Sequence, residues 1–94
     1  MTLAAGRQSI FITGAASGMG REPARLFREK GWFIGAFDLN LGGLQALQAE
    51  LGADNCVIQT LDVSDKGQFD AAVATFGEAT GGRMDILFNN AGIV

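Results

Sequence analysis

Ile10-Phe11-Ile12-Thr13-Gly14-Ala15-Ala16-Ser17-Gly18-Met19-Gly20 decides how the rest of this chain is read. An apolar run of strand length passes straight into a glycine-rich turn, and the turn opens a helical pattern. In that pattern Met19, Ala24, Leu26 and Phe27 are interleaved with Arg21, Arg25, Arg28 and Glu29. A strand, a glycine turn and a helix in this order make an anion cradle, because free backbone N–H groups and the positive end of the helix dipole face the same point. Gly14 is expected to make the tight turn, Gly18 to let an anion approach the backbone, and Gly20 to let the helix pack close to the sheet. The spacing is Gly-x-x-x-Gly-x-Gly, distinct from Gly-x-Gly-x-x-Gly and from a P-loop, which ends in Gly-Lys-Ser/Thr. A glycine cluster alone marks only a turn; its place between strand and helix gives it meaning.

Working outward, strand and helix patterns alternate. Ser9 to Ile12 reads as the first strand and Gly18 to Lys30 as the first helix, closed by Gly31. Pro23 is compatible if it sits in the first turn, where its missing N–H has no partner to lose. Trp32 to Phe37 reads as the second strand, ending at Asp38. Asn40 caps a helix over 41–51, with Leu44, Leu47 and Leu51 on one stripe, and Gly52 ends it. Cys56 to Leu61 reads as the third strand. Ser64 is expected to cap a third helix from Asp65 to about Thr80, with Phe69, Ala72, Val73 and Phe76 at helical spacing and Gly81-Gly82 as the stop. Met84 to Phe88 reads as a fourth strand leading into Asn89-Asn90-Ala91-Gly92. Such alternation predicts an α/β fold with a parallel sheet, since parallel neighbours need crossovers that helices fill. Right-handed crossovers then predict the strand order 3-2-1-4, the first two helices on one face and the third on the other.

Composition narrows the function. The 94 residues are 48% apolar, enough for a packed core, and the net charge of −3 with no basic run argues against a nucleic-acid partner. The apolar stretches are strand-sized, so no membrane span is expected, and the first seven residues lack signal-peptide character. Cys56 is the single cysteine and there is no histidine, so no metal site is expected and a reducing, cytoplasmic setting fits. Cys56, Trp32, Phe33 and Phe37 are most simply core residues, and Arg21, Glu22, Arg28 and Glu29 a solvated helix face.

Asp38 stands 24 positions after Gly14, near the offset of an acid that accepts hydrogen bonds from a ribose diol. Alone it reads as a turn aspartate; coupled to the glycine turn it reads as a ligand group that repels the extra phosphate of NADP. Asp62-Val63 ends the third strand, where a carboxylate and an N–H could read an adenine edge. Helix-entry chemistry explains the pair about equally well.

The glycine turn from Thr13 to Gly20, with Asp38, Asp62-Val63 and Asn89-Asn90-Ala91-Gly92, resembles the short-chain dehydrogenase/reductase family in order and spacing over nearly the whole chain. That resemblance implies a Rossmann fold, a nicotinamide dinucleotide cofactor, and hydride transfer between an alcohol and a carbonyl. It implies that Gly14, Gly18 and Gly20 hold the pyrophosphate with Ser17 and Met19 beside them. Asp38 would select NAD with Leu39 flanking the adenine, Asp62 and Val63 would bind the adenine edge, and Asn90, Ala91 and Gly92 would line the cleft through their backbone. NADP-preferring members carry a basic residue before the second glycine, where this chain has Ser17. The family's catalytic serine and Tyr-x-x-x-Lys pair find no match here, since the chain has no tyrosine, so none of these residues is expected to be catalytic. Residues 1–94 are thus expected to be an incomplete NAD-binding portion, with the catalytic portion beyond Val94. The resemblance further implies a small-molecule alcohol or carbonyl substrate and a homo-oligomer for the intact protein. Met84, Ile86, Leu87, Phe88, Ile93 and Val94 are expected to present an open apolar edge. Two other readings stay open: a non-catalytic NAD-responsive or scaffold protein, and a segment that binds nothing.

Overall fold

The computed structural model describes residues 7–90. Four strands and three helices alternate: β1 (Ser9–Thr13), α1 (Gly18–Glu29), β2 (Phe33–Asp38), α2 (Leu41–Leu51), β3 (Cys56–Thr60), α3 (Lys66–Thr80) and β4 (Ile86–Asn89). The sheet is wholly parallel in the order β3-β2-β1-β4, as predicted. Its register aligns Thr13 with Phe37 and with Asn89, and Asp38 with Thr60. The strands therefore end together, and every loop that follows a strand opens on the same edge of the sheet.

Two separate cores cover the two faces. Ile10, Ile12, Ile34, Ala36 and Cys56 pack against Ala24 of α1 and Leu44, Leu47 and Leu51 of α2. Phe11, Phe33 and Phe37 point the other way and pack with Leu61 and with Ala72 and Phe76 of α3. Period-two alternation thus sorts an unbroken apolar run into an aliphatic face and an aromatic face. Gly35 carries no side chain toward α3 because a Cβ there would lie 2.4 Å from the Phe76 ring. Cys56 is buried, and burial pushes its thiol up to about 12, which leaves it an inert core group.

The expected boundaries hold to within two residues: α1 ends one residue early, and β4 starts at Ile86 where Met84 was expected. Three local expectations fail. Asp65, not Ser64, caps α3, accepting the Gln68 N–H at 3.1 Å from an extended backbone. Ser64 is engaged elsewhere: its hydroxyl and its N–H both donate to Asp62 Oδ1, at 2.6 and 3.0 Å. Asp65→Ala should therefore cost about 1 kcal/mol in a denaturant melt. Ser64→Ala should cost less, and the reverse ranking would return the cap to Ser64.

Pro23 lies in the second turn of α1, not the first. Its missing N–H leaves the Met19 carbonyl without its helical partner, and the helix continues because Met19 is 77% exposed and water can reach it. Arg28 is also more than a solvated side chain. Its Nε donates to the Leu51 carbonyl at 3.0 Å, where Asn55 Nδ2 donates as well at 3.1 Å. The two close the carbonyl end of α2.

Met84, Ile86, Leu87 and Phe88 are exposed, as expected, with Leu87 at 51%. Ile93 and Val94 lie outside the described residues. No helix among the described residues is long and apolar enough to cross a membrane.

Candidate cofactor site

The turn after β1 is built around Ser17. Gly14 takes φ +67°, a left-handed conformation that admits glycine at no steric cost. The chain then reverses, so that the Ser17 hydroxyl donates to the Gly14 carbonyl at 2.8 Å. The same oxygen accepts the Gly20 N–H at 3.2 Å and caps α1. Gly20 lies buried against the turn, where a Cβ would come within 2.0 Å of the Gly14 carbonyl oxygen. The sequence assigned Gly20 to close packing, and the geometry agrees.

The first helical N–H groups have no carbonyl one turn back to bind. Ser17 satisfies that of Gly20, which leaves those of Gly18 and Met19 at the positive end of α1 for an anion. Gly18 is exposed, its φ is not left-handed, and a Cβ on it would meet no protein atom within 4 Å. Nothing in the fold requires glycine there. A diphosphate approaching these two amides would use the space its side chain leaves.

The other strands bring their ends to the same place. Asp38, at the end of β2, accepts the Ala16 N–H on Oδ2 and the Asn40 N–H on Oδ1, both at 3.0 Å. Asp62 follows β3, and its hydrogen bonds from Ser64 hold its carboxyl below the usual carboxylate range, so it is ionised at neutral pH. Asn90 follows β4. Its side-chain N–H groups donate to the Gly14 carbonyl at 3.2 Å and to Ser17 Oγ at 2.9 Å. Beneath it the Thr13 hydroxyl donates to Asn89 Oδ1 at 2.7 Å.

These residues enclose a cavity of about 360 Å³ lined by Gly14, Ser17, Asp38, Leu39, Leu61, Asp62, Val63 and Asn90. Six of the sequence-derived residues other than the later glycines and Met19 thus meet in one space with Gly14. Gly18 and Met19 stand outside its lining at the start of α1, and Gly20 is buried behind the turn. Ala91 and Gly92 lie outside the described residues. Among the described residues, no lysine or arginine lines the cavity, while two carboxylates do.

Sequence reasoning missed three contributors. Leu61 is a buried apolar wall whose N–H donates to the Asp38 carbonyl at 2.9 Å. Ala16 provides the amide that Asp38 holds. The Asn90 side chain ties β4 to the glycine turn, a role beyond the backbone contact expected of it. Only tertiary pairing brings 76 positions of chain separation to hydrogen-bond distance, so no local signal marks that tie.

Known proteins resemble this chain in sequence and in fold. The short chain dehydrogenase family profile matches residues 8–94. A 3beta-hydroxysteroid dehydrogenase 2 from Eggerthella lenta is 42% identical over 93 residues, covering 93% of this chain and 34% of that protein. A 2-dehydro-3-deoxy-L-rhamnonate dehydrogenase (NAD(+)) from a Sphingomonas species is 43% identical over 89 residues, 95% of this chain and 34% of that protein. The crystal structure of a short-chain dehydrogenase/reductase, a glucose/ribitol dehydrogenase from Brucella melitensis, superposes with a TM-score of 0.82 at 32% identity. It is matched over 93% of this chain and 36% of its own. The chain spans about a third of the length of the curated relatives it matches. On the family profile, the shared identity and the common Rossmann sheet, this chain belongs to the short chain dehydrogenase family.

Proposed function

We propose that these residues form the NAD-binding portion of an oxidoreductase that interconverts an alcohol and a carbonyl. One observation carries the reading: the ends of all four strands meet in a single cavity that joins the glycine turn to the Asp38 carboxylate. When bound, the nicotinamide supplies the acceptor or donor of a hydride. The amides of Gly18 and Met19 would hold the diphosphate, and Asp38 would accept hydrogen bonds from the adenosine ribose. Leu39, Leu61 and Val63 offer apolar surface to an adenine ring, with Asp62 at its edge.

The charge pattern favours NAD over NADP. A 2′-phosphate would stand beside Asp38 in a cavity that no cationic side chain among the described residues lines. Desolvating it there costs more than the neutral diol loses. The acid–base group would come from outside these residues, since the family's Tyr-x-x-x-Lys pair has no match in a chain without tyrosine. Relatives that share over 40% of this segment are named for a hydroxysteroid, for D-threitol and for a sugar acid. Substrates that differ so widely across a common segment support a substrate pocket built elsewhere in the protein.

Titration calorimetry with both dinucleotides tests the reading. NAD should bind more tightly than NADP, and Asp38→Ala should weaken NAD about tenfold or more while narrowing the preference. Equal or tighter binding of NADP by the unsubstituted protein overturns it.

A further inference from the structure

Ala16 is fixed from outside its own turn. Its N–H donates to Asp38 Oδ2 at 3.0 Å, and the neighbouring Ala15 N–H donates to the Phe37 carbonyl at 3.2 Å. The end of β2 therefore grips two consecutive residues of the turn that follows β1. On its other side the Ala16 methyl lies against α2, so close that a Cβ on Gly43 would come within 2.8 Å of it. Asp38 is itself held, since its second oxygen accepts the Asn40 N–H at 3.0 Å. Ser17, the next residue, caps α1 and so sets where the Gly18 and Met19 amides point.

We propose that Asp38, on the reading of this cavity as a dinucleotide site, is also a positioning residue: through the Ala16 amide it holds the glycine turn in its phosphate-binding shape. Its carboxylate then acts twice, once toward the ribose and once toward the backbone that carries the diphosphate amides. Removing it leaves the Ala16 N–H without its acceptor in a half-buried place, and the turn must shift to find another. Loss of the acceptor at residue 38 should thus weaken even ligands that have no ribose hydroxyls for it to bind.

The discriminating probe is the NAD analogue that lacks both hydroxyls of the adenosine ribose. Asp38→Ala should bind this analogue about tenfold more weakly than the unsubstituted protein does. Asp38→Asn keeps an oxygen acceptor for Ala16 and should bind the analogue within about twofold of the unsubstituted protein. Without ligand, hydrogen exchange at the Ala16 amide should quicken about tenfold in Asp38→Ala and stay near its original rate in Asp38→Asn. Unchanged analogue binding and unchanged exchange in Asp38→Ala overturn the positioning role while leaving the cofactor site intact. An unsubstituted protein that binds neither NAD nor the analogue overturns the site reading, and this inference with it.

Discussion

Gly20→Ala should destabilise the protein by about 3 kcal/mol or more, whereas Gly18→Ala, two residues away, should change stability by less than about 0.5 kcal/mol. A methyl on Gly20 would lie 2.0 Å from the Gly14 carbonyl oxygen, 2.7 Å from its carbon and 2.8 Å from the Ala15 Cα. All three atoms are backbone, and both sides are anchored. Gly14 is tied to Ser17 and Asn90, Ala15 to Phe37, and α1 to the sheet through Ala24. No rotamer change relieves the contact, so α1 must lift away from the turn. A methyl on Gly18 meets nothing within 4 Å and gains helix propensity. Its effect should fall on the ligand: about a tenfold loss of NAD affinity, as the methyl occupies space that the diphosphate needs. Thermal melts paired with NAD titrations check both halves. Equal stability losses in the two variants would show that α1 does not pack on the turn as described. Full NAD affinity in Gly18→Ala would remove the diphosphate from this helix end.

The second large effect lies on the aromatic face. Phe76 is fully buried, edge-on to Phe11 and Phe37 with centroids 5.3 and 6.5 Å away and tilted against Phe33 at 6.4 Å. Phe76→Ala should cost about 3–5 kcal/mol, the range for emptying a buried phenyl site. Gly35→Ala should cost about 2–3 kcal/mol for the opposite reason, since its methyl would sit 2.4 Å from Phe76 Cδ1 and 2.9 Å from Phe37 Cε2. The ring is buried against Phe11, Phe33 and Phe37, which limits how far it can move aside. The pair should therefore couple. In the Phe76→Ala background the Gly35 methyl fills part of the space the ring has left. The double variant should then be at least about 1 kcal/mol more stable than the two separate losses predict. Denaturant midpoints of the four proteins give this coupling directly. Strict additivity would mean that residues 35 and 76 do not touch.

The order of elements, their parallel pairing and the strand order 3-2-1-4 are all legible in the amino-acid sequence. Each is a local or topological consequence of short apolar runs that alternate with capped amphipathic segments, and right-handed crossovers leave little choice. It also marked Gly14, Gly20 and Asp38, because a positive φ, a close helix approach and an acid at a strand end each demand a residue type. The remaining features depend on packing between distant segments. Ile10, Phe11 and Ile12 are equally apolar in sequence, and only packing sends the aliphatic residues to α1 and α2 and the ring to α3. Gly35 is ordinary within a strand until Phe76 lands on it. Ser64 and Asp65 are both good caps, and the choice fell to Asp65 because Asp62 had already engaged Ser64. The bonds from Asn90 to Ser17 and from Ala16 to Asp38 join residues 73 and 22 positions apart, where no sequence period reaches. Pairing of β4 and β2 with β1 closes those distances and turns four strand ends into one site.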